Sequence, residues 1–265
     1  MEPQEFYLIC AYVLSAIVGL CVGSFLNVVI YRLPAGMNLS KPSSHCTTCD
    51  YTLKWYDNIP VLSYLMLGGK CRKCGQCISP RYMIVELVNA VLWVLSVHIF
   101  WKENPVYAVI SAIVLSTLIC IFFIDLESML IFNRFLVIIG VLGVVAIFFD
   151  KYTKWYDHLI GAVVFGGFFL LIYYMAIWIL KREGMGFGDV KFALAAGFLL
   201  GWQRMLLAMV IASITASIIL VIIKRVKGDE NGKEYPFGPF ISVGVAISML
   251  VGAPIITWYL SLLGI

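Results

Sequence analysis

Charged residues are scarce in this sequence. Lys, Arg, Asp and Glu together make up 13% of its 265 residues, whereas hydrophobic residues make up 62% and the mean hydropathy is +0.96. A water-soluble domain of this length could not hide so much apolar surface, so that class of protein is excluded. The segment from Met1 to Phe6 carries two glutamates and no Lys or Arg, which is the wrong flank for a cleavable signal peptide.

Histidine is also scarce, and this limits the kinds of catalytic site that the chain can build. Of its three histidines, His98 lies inside an apolar run and His158 opens another. Neither placement indicates a Ser–His or Cys–His pair for nucleophilic catalysis. A glycine-rich nucleotide-binding fingerprint and internal repeats are absent from the sequence as well.

Long apolar runs are what the sequence does have. Most of them approach the roughly 20 residues that a helix needs to cross a bilayer, although the sixth is too short to cross unaided. The eight runs cover residues 6–30, 83–101, 105–124, 135–149, 158–180, 190–202, 205–223 and 238–263. The sequence therefore predicts an all-α polytopic membrane protein with about eight transmembrane helices. We divide it into a first transmembrane helix (1–30), a polar insertion (31–82) and a membrane core (83–265).

The placement of Lys and Arg predicts which way the chain is oriented. With eight spans, fifteen of the nineteen basic residues fall on the side of the polar insertion. The opposite side keeps four, namely Lys102, Lys151, Lys154 and Arg204. Because cytoplasmic loops of membrane proteins are enriched in Lys and Arg, the insertion is expected to be cytoplasmic and both termini outside.

Five of the eight cysteines crowd into the polar insertion, whereas Cys10, Cys21 and Cys120 lie in apolar runs as small packing residues. Two CxxC pairs, Cys46 with Cys49 and Cys71 with Cys74, are separated by 21 residues. This spacing is typical of a tetrahedral four-thiolate zinc site, which has no open position and is therefore structural. His45 and Cys77 are alternative ligands by proximity, and we leave both outside the predicted set.

Two aspartates at the ends of apolar runs are the candidate catalytic residues. Asp125 ends the third run, and Asp189 opens the sixth within Gly186-Phe187-Gly188-Asp189. The predicted topology puts both near the cytoplasmic face. Two carboxylates held close together in a low dielectric share a proton, so that one can act as a general base and the other as a general acid.

Simpler interpretations of these aspartates stay open at this point. Asp125 can be an ordinary interfacial charge, and Asp189 can be a helix N-cap that follows a glycine turn. Two other functions also compete with peptide hydrolysis. One is a transporter that uses the carboxylates to couple ions near mid-membrane, and the other is a membrane scaffold whose zinc-binding segment is the functional part.

The motifs, taken in order, resemble those of the bacterial type IV prepilin peptidases, which are GxGD intramembrane aspartyl proteases. The resemblance runs through most of the chain and rests on Gly23–Pro34, the two CxxC pairs with Asn58–Ser63 between them, Ile78–Tyr82 with Glu86, the segments around Asp125 and Asp189, and Pro236–Phe240. One departure follows Asp125. There the family continues toward an Ile-Pro pair, whereas this chain reads Leu130-Ile131-Phe132-Asn133.

The resemblance implies an aspartic endopeptidase that removes the short, basic leader of prepilins or pseudopilins at the cytoplasmic face of the bacterial inner membrane. It makes Asp125 and Asp189 the catalytic pair. Substrate-binding or supporting roles fall to Gly186, Gly188, Glu86 and Glu127, and Glu183 is a further candidate for leader contacts. The implied partners are prepilins and membrane lipid, with no nucleic acid.

The resemblance also implies two cofactors. Zinc would be held by Cys46, Cys49, Cys71 and Cys74. Many members of the family N-methylate the new N-terminus with S-adenosylmethionine, which is therefore the second cofactor wherever that activity is present.

Overall fold

The protein is described by a computed structural model that covers residues 3–151, 153–181, 185–227 and 235–264. Within these ranges the regular structure is helical, and the only extended pairing consists of two isolated β-bridges. The helices are α1 (Pro3–Arg32), α2 (Leu62–Met66), α3 (Arg81–Phe100), α4 (Pro105–Ser128), α5 (Asn133–Phe149), α6 (Trp155–Leu180), α7 (Phe187–Leu200), α8 (Trp202–Lys227) and α9 (Gly238–Leu262), with a 3₁₀ turn at Trp55–Asn58.

Each of the eight predicted apolar runs coincides with one of the longer helices, so the all-helical fold is confirmed. Six of these helices, α1, α3, α4, α6, α8 and α9, are long and apolar enough to cross a membrane. The chain is therefore a multi-pass membrane protein. Helices α5 and α7 have 17 and 14 residues. They extend about 26 and 21 Å, less than the roughly 30 Å of a hydrocarbon core, so full crossing by these two helices stays a prediction.

The chain forms two compact units, residues 1–120 and 121–265. In the first unit, α1 packs tightly on α3 because small residues let the two backbones approach. A Cβ added to Gly19 would lie 2.8 Å from the Cα of Ala90, and one added to Gly23 would lie 2.8 Å from the Cα of Glu86. Larger side chains at Gly19 and Gly23 would push the helices apart.

A buried asparagine on α3 ties three helices of this first unit together. The Asn89 amide donates to the carbonyl of Gly19 on α1 (2.7 Å), and its oxygen accepts from the Ser116 hydroxyl on α4 (2.7 Å). The Trp93 indole also donates to Ser116 (2.8 Å). The polar groups of this cluster thereby have partners, as buried groups in a bilayer require.

In the second unit, α7 is the central helix and packs against α5, α6, α8 and α9. Most of its residues from Asp189 onward are buried, and many of them are Ala or Gly. The closest crossing lies between α6 and α7, where a Cβ on Gly197 would lie 2.8 Å from the carbonyl carbon of Gly161. The short sixth apolar run is therefore the buried core helix that carries Asp189 at its first turn.

A buried ion pair fixes the start of α8. The Arg204 guanidinium is hydrogen-bonded to Asp150, at the end of α5, and to the Thr153 hydroxyl (2.5 Å), and its Nε donates to the Leu200 carbonyl (3.0 Å). From sequence, Arg204 counted only as a charge on the outer side of the membrane. In the structure it is a buried link between helices.

Candidate active site and metal centre

Asp125 lies in the last turn of α4, three residues before the helix ends at Ser128. Its side chain is buried, and its carboxylate accepts a hydrogen bond from the backbone N–H of Gly238, the first residue of α9. Its Oδ2 has no hydrogen-bond partner among the described residues. A buried carboxylate oxygen without a partner costs free energy, so it needs an explanation beyond packing.

Asp189 is the third residue of α7 and is likewise buried. The residue at the N-cap is Gly186, and no side chain caps the helix, so the interpretation of Asp189 as an N-cap is wrong. The backbone N–H of Asp189 donates to the Gly186 carbonyl (3.1 Å), while its Oδ1 has no partner within the described parts of the chain. Asp189 therefore resembles Asp125 in both burial and an unused carboxylate oxygen.

The two aspartates belong to one site, built around Ile131. A Cβ on Gly188, next to Asp189, would lie 3.1 Å from the Ile131 Cβ. A Cβ on Gly238, against Asp125, would lie 3.1 Å from the Ile131 Cδ1. The Asp125 carboxylate is also close enough to act electrostatically on Asp189. The structure thus brings together the two carboxylates that the sequence singled out.

The turn after Asp125 forms without the proline that the family pattern has there. Met129 takes a left-handed conformation (φ +53°) and donates its N–H to the Asp125 carbonyl (2.9 Å). Helix α5 then begins at Asn133, whose side-chain oxygen accepts from the Lys191 ammonium (3.1 Å). This last bond joins the start of α5 to the start of α7, two residues beyond Asp189.

The other predicted site residues lie in different surroundings. Gly188 has little room for a side chain, whereas a Cβ on Gly186 would meet the Asp189 carboxylate at 3.5 Å, an ordinary contact. Glu127 is exposed, two residues beyond Asp125. Glu86 belongs to the first unit, where it is buried and accepts the backbone N–H of Val61 (2.7 Å). Their roles in substrate binding stay predictions, and Glu183 lies outside the described residues.

Sequence reasoning left two residues out of the site. In the sequence, Gly238 belongs to the segment that enters the last helix, and Ile131 to a departure from the family pattern. Neither glycine nor isoleucine has a reactive side chain that would mark it as a site residue in a sequence. Only the close approach of Gly238 to Asp125, where an added Cβ would lie 2.5 Å from Oδ2, shows that this position is part of the site.

The four cysteines predicted as metal ligands lie together in the first unit. The sulfurs of Cys46, Cys49, Cys71 and Cys74 all lie within 4.8 Å of one another. The Cys46–Cys74 and Cys49–Cys71 sulfur separations are 3.8 and 4.0 Å. Zn–S bonds of about 2.3 Å in a tetrahedron place sulfurs about 3.8 Å apart, so the four side chains fit a zinc ion.

The two CxxC segments share a pattern of backbone hydrogen bonds, and this pattern places Cys77 outside the sulfur cluster. Cys46 donates its N–H to the Tyr51 carbonyl (2.9 Å), and Cys71 donates to the Gln76 carbonyl (2.8 Å). A β-bridge closes each segment, from His45 to Thr52 in the first and from Lys70 to Cys77 in the second. Cys77 thus occupies the bridge position that Thr52 has in the first segment, and its side chain is exposed.

Hydrogen bonds set the charge of the thiols in this cluster and link its two halves. The backbone N–H groups of Thr48 and Cys49 donate to the Cys46 sulfur and lower its pKa to about 6, which favours a thiolate there. The Tyr51 N–H acts to lower the pKa of Cys49 too, but burial and hydrogen bonds with the other three cysteines outweigh it and raise that pKa to about 12. Asp57 joins the two segments because it accepts from the Tyr51 hydroxyl (3.2 Å) and the Arg72 Nε (2.7 Å). Burial works to raise the pKa of Asp57, but these hydrogen bonds outweigh it and the pKa is lowered.

The polar insertion has almost no core of its own. Of residues 33–80, all of which the structure describes, only Asp57, Gly69 and Cys71 are buried. An apolar core cannot hold such a segment together. A metal bound by the four thiolates would supply the missing folding free energy.

The structure thus defines a multi-pass helical membrane protein with a buried carboxylate pair and a cluster of four cysteines that fits a metal ion. Residues 17–100 match the family model described as the bacterial peptidase A24 N-terminal domain, and residues 112–221 match that of the type IV leader peptidase family. The chain belongs to the type IV leader peptidase family, and the family assignment made from its motifs is confirmed.

Relatives match along nearly the whole length of the chain. The prepilin leader peptidase/N-methyltransferase of Pseudomonas putida is 33% identical over 293 residues, which cover 100% of this chain and 97% of that protein. The proteins of the same name from Pseudomonas aeruginosa (33% identical, 96% and 95% covered) and Dichelobacter nodosus (34% identical, 89% and 90% covered) are similar to it too. No solved structure matches the chain.

Proposed function

We propose that this chain is an aspartic endopeptidase of the bacterial inner membrane that cleaves the N-terminal leader of type IV prepilins or pseudopilins, with Asp125 and Asp189 as its catalytic pair. Family membership supports the reaction. The observation that carries the residue assignment is the burial of both carboxylates around Ile131, each with an oxygen that no described residue engages.

The pair can hydrolyse a peptide bond without a metal or a covalent intermediate. One ionised carboxylate takes a proton from water as the oxygen attacks the scissile carbonyl carbon, and the protonated partner gives its proton to the carbonyl oxygen. When the tetrahedral intermediate collapses, the C–N bond breaks and the leaving amine receives a proton from the pair. Burial helps because two close carboxylates in a low dielectric retain one proton between them.

The position of the pair along the helices favours a peptidase over an ion-coupled transporter. Asp125 lies about 4.5 Å from the end of α4, and Asp189 about 3 Å from the start of α7, at a rise of 1.5 Å per residue. Transporter sites lie near the bilayer midplane, whereas a peptidase that cuts just before a hydrophobic segment works near a membrane face. In the orientation that the basic residues predict, this face is cytoplasmic and both termini are outside.

Two glutamates have different proposed roles, one in binding the basic leader and one in supporting the fold. Glu127 is exposed and lies two residues from Asp125 along the chain. Its negative charge is therefore in a position to attract Lys or Arg of a leader. Glu86 contributes differently, because its carboxylate already accepts the Val61 N–H. We propose that Glu86 has a supporting role, since it holds Val61 of the polar insertion against α3. Gly186 and Gly188 support the site through their backbone: the Gly186 carbonyl accepts the Asp189 N–H (3.1 Å), and Gly188 lets the start of α7 lie close to Ile131.

Zinc is the proposed metal of the four-cysteine site, and its role is structural because four sulfur ligands leave no open position. Methyl transfer from S-adenosylmethionine to the new N-terminus is a second proposed activity. Its support is that the relatives named above are peptidase/N-methyltransferases.

Cleavage in oriented membranes tests the proposal. We expect a prepilin peptide with a basic leader to be cut when added to inverted inner-membrane vesicles that contain the protein, because the catalytic pair then faces the medium. Sealed right-side-out vesicles should leave the peptide intact until detergent is added. With S-adenosylmethionine present, mass spectrometry should find the mature product heavier by one methyl group. Cleavage by intact right-side-out vesicles would refute the orientation, and no cleavage in detergent would refute the function.

Gly238→Ala is expected to lower cleavage strongly, by about 100-fold or more, while leaving the fold intact. The added methyl would lie 2.5 Å from the Asp125 Oδ2 and 3.1 Å from Ile131, so the carboxylate must move away from the Gly238 N–H. A displacement of this size at a catalytic group commonly costs about 10²-fold. The measurement is kcat/KM with a prepilin peptide.

Gly186→Ala is the matched control for this substitution. Its added Cβ would meet the Asp189 carboxylate at 3.5 Å, an ordinary contact distance, so we expect a much smaller loss. Equal loss in the two variants would show that the close approach of Gly238 to Asp125 does not matter for catalysis.

A further inference from the structure

The short helix α2 in the polar insertion exposes apolar side chains and turns its hydroxyl groups inward. Leu62, Leu65 and Met66, at positions i, i+3 and i+4, form one stripe and are exposed by 57%, 60% and 85%. Ser63 and Tyr64 instead bond within the insertion, to the carbonyls of Ile59 (2.8 Å) and Ile78 (3.4 Å). A helix that faced water would show the opposite pattern.

Exposed aromatic and basic groups adjoin this stripe. The 3₁₀ turn that packs on α2 starts at Trp55, whose side chain is 80% exposed. Lys54 and Arg72 lie over the ring of Tyr56 in the same turn, with distances of 5.7 and 5.2 Å to its centre. From Arg32 to Arg81 the insertion carries seven basic and two acidic residues. Exposed leucine, methionine and tryptophan flanked by Lys and Arg are typical of segments that lie in an anionic membrane interface.

A hydrogen bond fixes the start of α2 against a helix that crosses the membrane. The Val61 N–H, at the N-cap of α2, donates to Glu86 Oε2 at 2.7 Å. Glu86 lies five residues, or about 7.5 Å, inside the membrane-crossing helix α3, which starts at Arg81. Val61 is therefore held beside the first two turns of α3, at the end where this helix enters the membrane. Helix α2 itself is only about 7.5 Å long, so all of it stays within reach of the interface.

The backbone at the start of α2 has an unusual conformation, which the bond to Glu86 holds in place. Val61 has φ +61°, a conformation that a β-branched residue rarely adopts, and the bond to Glu86 secures it. Glu86 is itself fixed, since it also accepts the Ser24 hydroxyl of α1. The N-terminus of α2 is therefore anchored to the two helices that enter the membrane on either side of the insertion.

We propose that the apolar stripe of α2 (Leu62, Leu65 and Met66), together with Trp55, lies in the headgroup region of the bilayer and docks the metal-binding insertion onto the membrane surface. Exposed basic residues of the insertion, such as Lys54 and Lys73, face anionic lipid phosphates there. This surface would keep a segment that has almost no apolar core in a fixed position over the membrane. The proposal depends on the membrane-spanning fold and not on the catalytic assignment.

Site-specific photocrosslinking in nanodiscs tests this docking. The full-length, zinc-loaded protein would carry a benzophenone amino acid at position 62, 65 or 66, in nanodiscs that contain phosphatidylglycerol. Position 47, an exposed threonine of the first CxxC segment, is the comparison site. We expect lipid adducts at positions 65 and 66 to exceed those at position 47 at least fivefold by mass spectrometry.

The apolar N-terminal segment of a prepilin is the other occupant that such a stripe can take, and the same experiment separates the two. Lipid adducts whose yield does not change when prepilin is added support docking on the membrane. Adducts to prepilin at the expense of lipid overturn the proposal, as does a lipid yield no higher than that at position 47. Metal content and gel-filtration behaviour equal to those of the unlabelled protein ensure that each labelled protein is folded.

Discussion

Asp125→Asn and Asp189→Asn are each expected to reduce prepilin cleavage by about 10⁴-fold or more, to the detection limit of a product-mass assay. Asparagine keeps the shape of aspartate, but it cannot take a proton from water or hold the shared proton. Both side chains are buried and uncharged amides are easier to bury than carboxylates, so the variants should fold and insert normally. The measurement is cleavage rate at equal amounts of purified, monodisperse protein.

The double variant provides the sharper test of a catalytic pair. Two residues that act as one unit lose nearly all activity when either is changed, so the double variant should be hardly slower than each single one. Asp157→Asn is the matched control. Asp157 belongs to the same unit, but it lies in the first turn of α6 and accepts a hydrogen bond from the Trp202 indole (3.0 Å). Substantial cleavage by either single Asn variant would remove the pair from the mechanism. An ion-coupling role for the aspartates would then become the leading interpretation.

The parts of the fold that follow from apolar run length were predictable from the sequence. A helix in a bilayer makes all its backbone hydrogen bonds within itself, so an apolar run such as 105–124 forms a helix whatever its neighbours are. Asp125 and Asp189 were predictable as a pair for a related reason. Charges are rare within membrane segments, and counting spans puts both on one side.

Long-range fits between small or neutral groups were not predictable. Gly238 meets Asp125 across 112 intervening residues, and only the packing of α9 on the rest of its unit sets that approach. The pairing of Arg204 with Asp150 was not predicted, because an arginine next to an apolar run is equally consistent with a charge at the membrane surface. The outward apolar stripe of α2 was missed because a helix of five residues is too short for periodicity to be read.

The four-cysteine site was predictable because ligand spacing alone indicates it, but its importance for folding emerges only from the structure. The CxxC pairs fix the chemistry. The scarcity of buried residues between 33 and 80 shows that little else holds the insertion together. The bond from Val61 to Glu86 connects this insertion to α3. A folded insertion therefore helps to keep the first unit together.

Replacing Cys46 and Cys71 together by serine is expected to remove the metal and unfold the insertion. Elemental analysis of the native protein should find about one zinc per chain, and the double variant should contain none. Structural zinc sites contribute about 10–16 kcal/mol of apparent binding free energy, which matches or exceeds the 5–15 kcal/mol stability of a typical domain. We therefore expect amide exchange across 33–80 to become fast, whereas α4 to α9 keep their protection.

Cys77→Ser is the matched control for the metal site. Cys77 lies in the same insertion and is exposed, but it occupies a β-bridge position outside the sulfur cluster, so its loss should leave zinc content and exchange unchanged. In the proposed mechanism a carboxylate and not the metal activates the water, so brief treatment of zinc-loaded protein with a chelator should leave cleavage largely unaffected. A native preparation that is free of metal and retains an ordered insertion would show that the four thiols are held in place by the fold alone.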